Sequence, residues 1–384
     1  MNVRLLRARA YLSRVAEPPA PALAELVAEV GPVEAAEWVH AGRVGEQVAG
    51  ETGVRRAVHR EDADLAAAAA AGARLLVPEH DEWPADAFEA FDAAGVAELA
   101  PPLALWVRGS GVLRTLSGRA VAVVGARAAT SYGLHVAGEL GAGLADRGYT
   151  VVSGAAIGVD GAAHRGALAV DGPTTAVLAC GVERPYPASH QLLLERIAAG
   201  GLVVSEYPPG SVPARHRFLV RNRIIAGLAG GTVVVEAALR SGAQRTASDA
   251  ASLGRPVMAV PGAVTSGLSA GCHRLVRDGA LLVTRTEEVL EAVAPMGVHL
   301  AEPLEAGAAR VTDGLDAAAA RVHDALPARV ARDSRWLALE SGVPIGAVRS
   351  ALVALERRGL VEHRDGRWRR CPAAQAASTR AAGA

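Results

Sequence analysis

The middle of the chain alternates short apolar runs with longer segments of helical periodicity. The apolar runs Ala120–Gly125 and Thr150–Ser153 end in small residues, and helical patterns follow them at Tyr132–Arg147 and Val159–Val170. Near-continuous apolar strands indicate a sheet covered on both faces, and their alternation with helices indicates right-handed parallel crossovers. The pattern predicts an α/β fold with a doubly wound parallel sheet. The further predicted elements are the strands Thr174–Leu178, Leu202–Ser205, Gly231–Val235, Pro256–Val260 and Ala280–Val283 and the helices Gln191–Ala199, Phe218–Leu228 and Ala243–Leu253.

The pattern changes on both sides of this sheet, which predicts more than one domain. A chain of 384 residues is long enough for two or three. The N-terminal region is predicted to be helical, and an alanine-rich tail, expected to be disordered, ends the chain. The predicted divisions are an N-terminal helical domain (1–115), the sheet domain (116–300), a linker (301–311), a small C-terminal domain (312–371) and the tail (372–384).

Two short helices are predicted near the N-terminus, at Pro21–Val30 and Val33–His40. The dipeptide Gly31-Pro32 between them ends the first helix and opens the second. Two helices joined in this way fit a helix-hairpin-helix-like or SAM-like DNA module. They fit a small helical scaffold equally well, and both interpretations stay open.

The C-terminal domain has the pattern of three helices followed by a hairpin. The segment Pro344–Arg358 places apolar residues at helical spacing, and Asp365-Gly366 is a typical hairpin turn between two short strands. This order predicts a winged helix with Pro344–Arg358 as its recognition helix. The alternative is a protein-contact or dimerisation module. The candidates for contact with nucleic acid or a partner protein are Arg349, Arg358 and Arg367.

Composition narrows the possible chemistry. All 40 basic residues are arginine and the formal net charge is zero, so any cation that holds a phosphate must be an arginine. Without lysine, a usual Walker A loop and a pyridoxal phosphate attachment are excluded. Cys180, Cys272 and Cys371 are too far apart for a zinc motif or a disulfide framework. We expect no metal or cofactor, no membrane span and a cytoplasmic location.

Small residues follow several of the predicted strands. In an open parallel sheet, ligands bind beyond the carboxyl ends of the strands, where small residues expose backbone N–H groups to anions. Taken singly, each glycine is explained by a tight turn, and the G-x-G-x-x-G pattern of a dinucleotide site is absent. Together these strand ends favour a phosphate-binding rim. Its candidate residues are Gly125, Ala126, Arg127, Ser153, Gly154, Ser241 and Gly242.

A basic segment with one aromatic residue forms the densest cluster of candidate binding residues. It runs from Arg215 to Ile225 and contains four arginines. Arginines that contact phosphates and an aromatic ring under a base are typical of single-stranded nucleic-acid binding. A solvated basic helix start with the phenylalanine in the core is the competing interpretation. The candidates are Arg215, Phe218, Arg221, Asn222 and Arg223.

Catalytic groups are harder to find. Asp160 and His164 lie four residues apart on one predicted helix, where they can hydrogen-bond as an acid–base pair or serve as a structural pin. Glu236 ends a strand, where it can act as a base or pair with Arg240. No serine or cysteine nucleophile motif accompanies them, so no catalytic residue is predicted.

Six motifs of the middle region occur in a characteristic order. They are VAVVGARAATSYG (Val121–Gly133), SGAAIGVDGAAHRGAL (Ser153–Leu168), PYPASH (Pro185–His190), SEYPPGSVPARHRFLVRNRIIAGL (Ser205–Leu228), VVVEAALRSGAQRTA (Val233–Ala247) and AVPGAVTSGLSAGCHRLV (Ala259–Val276). Together they resemble the DNA-processing protein A (DprA/Smf) family. The resemblance extends from about Glu82 to the C-terminus.

The resemblance implies an extended Rossmann-like domain that binds single-stranded DNA and forms homodimers. It further implies loading of the RecA recombinase, displacement of single-strand-binding protein and a role in natural transformation, without enzymatic activity. Arg127 matches the family's phosphate-binding arginine, and Arg215, Phe218, Arg221 and Arg223 match its basic-aromatic DNA segment. A C-terminal winged helix and a variable N-terminal helical domain also fit the family.

Three departures from the family's pattern concern the wall of the expected groove. Leu219 stands where proline is usual, Gln244-Arg245 replaces a Leu-Ile-like pair, and His273 stands where asparagine is frequent. These residues change details of the expected base contacts and leave the resemblance intact.

Two other functions compete with this one. Gly230, Gly231, Thr232 and Glu236 echo, with altered spacing, the P-G-G-x-G-T-x-x-E motif of nucleotide phosphoribohydrolases. A nucleotide-sensing regulator that uses the winged helix on promoters is the other, and it predicts sequence-specific duplex binding.

Overall fold

The computed structural model describes residues 2–295, 298, 299, 301 and 312–371. The predicted tail and nearly all of the predicted linker lie outside these residues. The chain divides into two compact units, Met1–Ala301 and Glu302–Ala384, which are described separately.

The first unit opens with a cluster of helices around an aliphatic core. Leu12, Leu23 and Val39 are fully or almost fully buried in this core. Gly31, at a φ of 82°, ends the second helix, and Pro32 opens the third, as the sequence predicts. The helices are α1 (Val3–Val15), α2 (Pro21–Val30), α3 (Pro32–Ala41), α4 (Glu46–Thr52) and α5 (Glu61–Ala70).

A nine-stranded sheet forms the centre of the first unit as far as the structure describes it. Its strand order is β1-β2-β6-β5-β4-β3-β7-β8-β9. The seven strands from β3 to β9 pair in parallel, which confirms the predicted doubly wound sheet, whereas β1 and β2 pair antiparallel at one edge. The strands are β1 (Ala73–Leu76), β2 (Leu105–Arg108), β3 (Ala120–Val124), β4 (Thr150–Ser153), β5 (Thr174–Leu178), β6 (Leu202–Ser205), β7 (Thr232–Val234), β8 (Val257–Ala259) and β9 (Leu281–Leu282).

Helices cover both faces of this sheet. Alternate residues of β3 belong to different core clusters, with Ala122 and Val124 in one and Val121 and Val123 in the other. Both faces of the strand are therefore buried, as its continuous apolar run predicts. The covering helices are α6 (Ala85–Ala94), α7 (Leu113–Gly118), α8 (Ser131–Asp146), α9 (Val159–Ala169), α10 (Gln191–Gly200), α11 (Arg215–Leu228), α12 (Gly242–Ser252), α13 (Ala270–Arg277) and α14 (Thr286–Val293), with 3-10 turns at Ala97–Leu99 and Ala188–His190.

The region before residue 115 is less purely helical than predicted. β1 and β2 extend the central sheet, and Trp83, Phe88 and Phe91 share a core cluster with β3 and β7. The predicted boundary at residue 115 consequently lies inside one compact unit. α13 and α14 were not predicted, because both are only eight residues long, which is too short for a sustained helical repeat.

The described part of the second unit, residues 312–371, contains three helices and a hairpin in the predicted order. Asp333 caps the second helix, and Asp365 and Gly366 turn the hairpin with positive φ values of 50° and 72°. Its designation as a winged helix stays a prediction. The elements are α15 (Ala317–Ala325), α16 (Ser334–Ser341), α17 (Ile345–Arg357), β10 (Val361–Arg364) and β11 (Arg367–Arg370).

Among the described residues, no single helix is long and apolar enough to cross a membrane. One helix pair, α16 with α17, has the necessary length and composition but bends by 105° at its break.

Candidate nucleic-acid interface

The strand order places a cleft at the reversal point of the sheet. From β3 the chain adds β4, β5 and β6 on one side, and then crosses over to add β7, β8 and β9 on the other. Ligands of open α/β sheets bind at such a point, outside the carboxyl ends of the strands. A cleft of about 790 Å³ opens there. The predicted site residues that line it are Gly125, Ala126, Arg127, Arg215, Phe218, Arg221, Asn222, Ser241 and Gly242.

Gly125 allows the loop after β3 to pack closely at the base of the cleft. A Cβ at this position would lie 2.7 Å from Cγ2 of Val159 and 2.9 Å from the carbonyl oxygen of Glu236. Neither separation is sterically acceptable, so the packing of this loop against the start of α9 and the end of β7 requires a glycine.

Arg127 and two aromatic rings pack against one another at the cleft. The Arg127 guanidinium carbon lies 4.9 Å from the centre of the Phe218 ring, and the Phe218 and Tyr186 rings are 5.3 Å apart. Arg127 is exposed and Tyr186 is 37% exposed. These three side chains thus offer a positive charge and aromatic surface together. Tyr186 was missed as a site residue, although its PYPASH motif had been singled out.

Two further exposed arginines line the cleft. Arg215 opens α11, and Arg240 lies in the loop before α12. Like Arg127, neither has a carboxylate within 4 Å in the part of the chain that the structure describes. Their charges are therefore available to an anion. Arg240 is not among the predicted site residues, although it directly precedes the predicted rim residues Ser241 and Gly242.

Arg221 belongs to the floor of the cleft rather than to its surface. Its Nη1 donates to the carbonyl oxygens of Gly154, at 2.9 Å, and of Val177. Burial lowers the pKa of Arg221 to about 10, an effect opposed by nearby Asp160. Asn222 donates through Nδ2 to the Gly242 carbonyl at 3.1 Å and so ties α11 to the start of α12. These two residues shape the cleft from below.

Three predicted site residues do not line the cleft. Ser153 is fully buried and donates to the Val123 carbonyl at 2.6 Å, and Gly154 leaves room for the Arg221 guanidinium. Arg223 is 2% exposed, and its Nη2 donates to Glu206 Oε1 at 2.7 Å. Two residues after Arg221, a helical side chain points to a different face. Ser153 and Gly154, predicted for the phosphate rim, and Arg223, predicted for the basic DNA segment, thus lie outside the cleft lining.

The candidate acid–base groups are all engaged in structural contacts. Burial raises the pKa of Asp160, which accepts from the Ala156 amide at 3.4 Å. His164 lies with Nδ1 2.7 Å from Thr174 Oγ1, and burial lowers its pKa to about 3. The expected Asp160–His164 hydrogen bond is thus replaced by separate partners.

Glu236 holds the residue that caps α8. Its carboxylate accepts from the Thr130 amide at 2.9 Å and from the Thr130 hydroxyl at 2.6 Å, and Thr130 is the N-cap of that helix. Within the described part of the chain it forms no ion pair with an arginine, so the alternative that linked it to Arg240 is not realised. Among the described residues, no group of three or more His, Cys, Asp or Glu side chains is arranged to hold a metal.

The candidate arginines of the second unit differ in their contacts. Arg349 on α17 and Arg367 on β11 are exposed. Arg358 instead donates to the Gly314 carbonyl at 2.9 Å, a contact that ties the end of α17 to the loop before α15. Beside Arg367, the rings of His363 and Trp368 stack 4.1 Å apart across the hairpin.

Comparison with known proteins decides the family. The model of a family described as DNA recombination-mediator protein A matches residues 74–294, which is over half of the chain. The chain belongs to this family. The resemblance found in the sequence motifs is thereby confirmed. The family match starts within β1 and ends just after α14, so the antiparallel edge strands belong to the part of the chain that the family shares.

Relatives of this family are similar over very different lengths. A putative DNA processing protein DprA of Mycobacterium tuberculosis (strain H37Rv) is 53% identical over 382 residues, which cover 98% of this chain and 97% of that protein. The DNA processing protein DprA of Streptococcus pneumoniae is 41% identical over 210 residues, 55% of this chain and 71% of that protein. The X-ray structure of DprA from S. pneumoniae has a TM-score of 0.61 and 29% identity, covering 77% of this chain and 99% of that one.

Proposed function

We propose that the protein binds single-stranded DNA in the cleft and acts as a recombination mediator rather than as an enzyme. In this role it loads the RecA recombinase, displaces single-strand-binding protein and serves natural transformation in the cytoplasm. One observation carries the proposal. Three exposed arginines, Arg127, Arg215 and Arg240, have no carboxylate partner among the described residues and line the cleft beside the partly exposed rings of Phe218 and Tyr186.

Single strands suit this arrangement better than duplexes do. Arginines along a groove neutralise phosphates, and aromatic rings stack on bases that are already unpaired. Duplex bases would first have to leave their own stack. The competing phosphoribohydrolase function needs a free glutamate at the cleft. Glu236 is instead hydrogen-bonded to Thr130, the N-cap of α8, and does not line the cleft, which favours binding over catalysis.

The proposal includes a homodimer. An apolar hollow of about 380 Å³ lies at the β9 edge of the sheet, lined by Leu239, Pro261, Val276 and Leu282 among others. Leu281 and Leu282 are both about half exposed on this short edge strand. Exposed leucines on a sheet edge are typical of an interface between chains. Light scattering of the wild type and of Leu281→Glu tests this part, with a dimer expected only for the wild type.

The central test is fluorescence anisotropy with single-stranded and duplex oligonucleotides across a salt series. We expect a single-strand preference and a log K against log salt slope of roughly −0.7 per phosphate neutralised. Arg127→Ala should weaken the binding and flatten the slope. Arg114→Ala is the matched control. This exposed arginine lies in α7, directly before the amino end of β3, whereas the cleft lies at the carboxyl ends of the strands. Equal affinity for duplexes, or equal effects of both variants, would overturn the proposal.

The second unit takes a supporting role in the proposal. Arg349 and Arg367 contact nucleic acid or a partner protein, and Arg358 contributes through the fold of the unit. Alanine at Arg349 and Arg367 together should weaken DNA binding without changing the single-strand preference. An unchanged affinity for DNA assigns these residues to a protein contact.

A further inference from the structure

A groove with an apolar floor and an acidic rim lies on the first unit, outside the DNA cleft. It has a volume of about 680 Å³ and is lined by residues of both α2 and α6. Its floor contains Val27, Phe91 and Leu103, together with several alanines and prolines. We call this feature the acidic groove. Its volume lies in the range that is typical of ligand-binding pockets, roughly 300–1,000 Å³.

The rim of the acidic groove carries carboxylates on both sides. Glu25 lies on α2, and Glu89 and Asp92 lie on α6. All three are exposed, and none has an arginine or histidine within 4 Å in the described part of the chain. Elsewhere in the first unit, Glu17 is neutralised by ion pairs with Arg55 and Arg217. The rim therefore presents uncompensated negative charge.

The one arginine that lines the acidic groove does not offset this charge. Arg9 is 6% exposed, and its guanidinium is already held by Glu79 at 2.6 Å and by the Leu103 carbonyl at 3.1 Å. A ligand in the groove thus meets an apolar floor between two negative rims. Phosphates are repelled there, because like charges placed opposite one another cost binding energy.

We propose that the acidic groove docks a basic amphipathic segment of a partner protein. Apolar side chains of that segment fill the floor, and its arginines or lysines face Glu25 on one side and Glu89 and Asp92 on the other. A segment with one apolar face laid into a groove is a recurrent form of peptide recognition. The charge of the rim selects a cationic segment and excludes an acidic one.

The position of the acidic groove allows DNA and the partner to bind together. α11 begins at the DNA cleft with Arg215 and Phe218 and extends over 14 residues, roughly 20 Å at 1.5 Å per residue. The other end of α11 packs against the groove floor. A Cβ added at Gly227 would lie 2.5 Å from Cζ of Phe91, which belongs to that floor. The two sites thus occupy opposite ends of one helix, and neither blocks the other.

The test uses the full chain and a fluorescent synthetic peptide of leucine, alanine and arginine with an amphipathic helical pattern. The comparison peptide has glutamate in place of each arginine. We expect saturable binding of the first peptide and none of the second. The charge reversal Glu89→Arg/Asp92→Arg should weaken binding by at least about tenfold. Glu139→Arg/Asp146→Arg on α8 is the matched control, since both carboxylates are exposed and distant from the groove in sequence.

A second variant separates docking from simple charge attraction. Ala28→Trp on the exposed face of α2 fills the groove without changing the charge, and it should also reduce peptide binding. Thermal unfolding verifies that each variant folds. Unchanged binding in both groove variants, an equal effect of the control reversal, or equal binding of the glutamate peptide would overturn the proposal.

Prior saturation with single-stranded DNA should leave peptide affinity unchanged. If the protein binds no DNA, the proposed function fails while the peptide result stands.

Discussion

The arginines of α11 lie in opposite environments. Arg215 is exposed at the cleft and has no carboxylate within 4 Å among the described residues. Arg217 is held by Glu17 at 2.7 Å, and Arg223 is buried against Glu206 at the same distance. One basic sequence segment thus divides into a part that faces solvent and a part that is neutralised by the fold.

This difference shows that a count of arginines does not measure affinity for nucleic acid. An exposed, unpaired arginine keeps its charge for a phosphate, whereas a buried one has to abandon its carboxylate and leave that charge uncompensated. The chain as a whole has no net charge, so binding depends on which arginines lack partners. Substitutions in each class should therefore have different effects on stability and on DNA binding.

Arg223→Ala should destabilise the fold the most. Removal of the guanidinium leaves the buried Glu206 carboxylate unpaired, which costs about 3–5 kcal/mol. Urea unfolding measures this loss. The double variant Arg223→Met/Glu206→Gln removes both charges and should recover much of the stability. A variant that unfolds like the wild type but loses DNA binding would place Arg223 in the interface after all.

Phe218→Ala should weaken single-stranded DNA binding by about 1–3 kcal/mol, because a stacking surface for a base is lost. Tyr186→Ala should have a smaller effect, since the guanidinium of Arg127 lies over the Phe218 ring. Anisotropy at fixed salt measures both. Tyr132→Ala is the control, as this exposed tyrosine lies outside the cleft lining. If the control loses as much affinity, stacking at Phe218 is not the cause.

Arg215→Gln should lower the salt slope of DNA binding by roughly 0.7, the value of one phosphate contact on a single strand. Arg217→Gln, two residues along the same helix, should leave the slope unchanged because Glu17 already neutralises Arg217. The salt series that serves the wild type measures both variants. Equal slopes for the two variants would remove the distinction between free and paired arginines.

The ion pairs of Glu17 predict a pH dependence of stability. Hydrogen bonds from Arg217, Arg55 and His216 outweigh its burial and lower the pKa of Glu17 from 4.5 to about 2. Because the pKa is lower in the folded state, the carboxylate stabilises the protein above pH 4.5, and this stabilisation fades as the pH falls toward 2. The difference in melting temperature between wild type and Glu17→Gln should shrink over that window. A constant difference would contradict the assignment.

The sequence allowed the seven parallel strands of the central sheet to be predicted one by one, because each is a continuous apolar run bounded by small residues. It also located most of the cleft, since the carboxyl ends of parallel strands meet at one edge. β1 escaped prediction because Ala73–Leu76 follows an alanine-rich helix with no break in hydropathy. Its strand pairing comes from β2, far along the chain.

The sorting of arginines could not be predicted in the same way. Glu17 lies 200 residues before Arg217, and Glu206 lies 17 residues before Arg223. Only the tertiary fold brings these carboxylates to α11. Tyr186 was missed for the same reason. It lies in a loop, and only the tertiary fold brings its ring to Phe218 on α11.

Photo-crosslinking shows directly whether single-stranded DNA binds in the cleft. The full chain is crosslinked to a single strand that contains halogenated uracil, and the crosslinked peptides are identified by mass spectrometry. We expect crosslinks at Phe218 and Tyr186, which should be lost in Arg127→Ala/Arg215→Ala but kept in Arg114→Ala. Crosslinks confined to the second unit, between Ala317 and Arg370, or an unchanged pattern in the double variant, would contradict binding in the cleft.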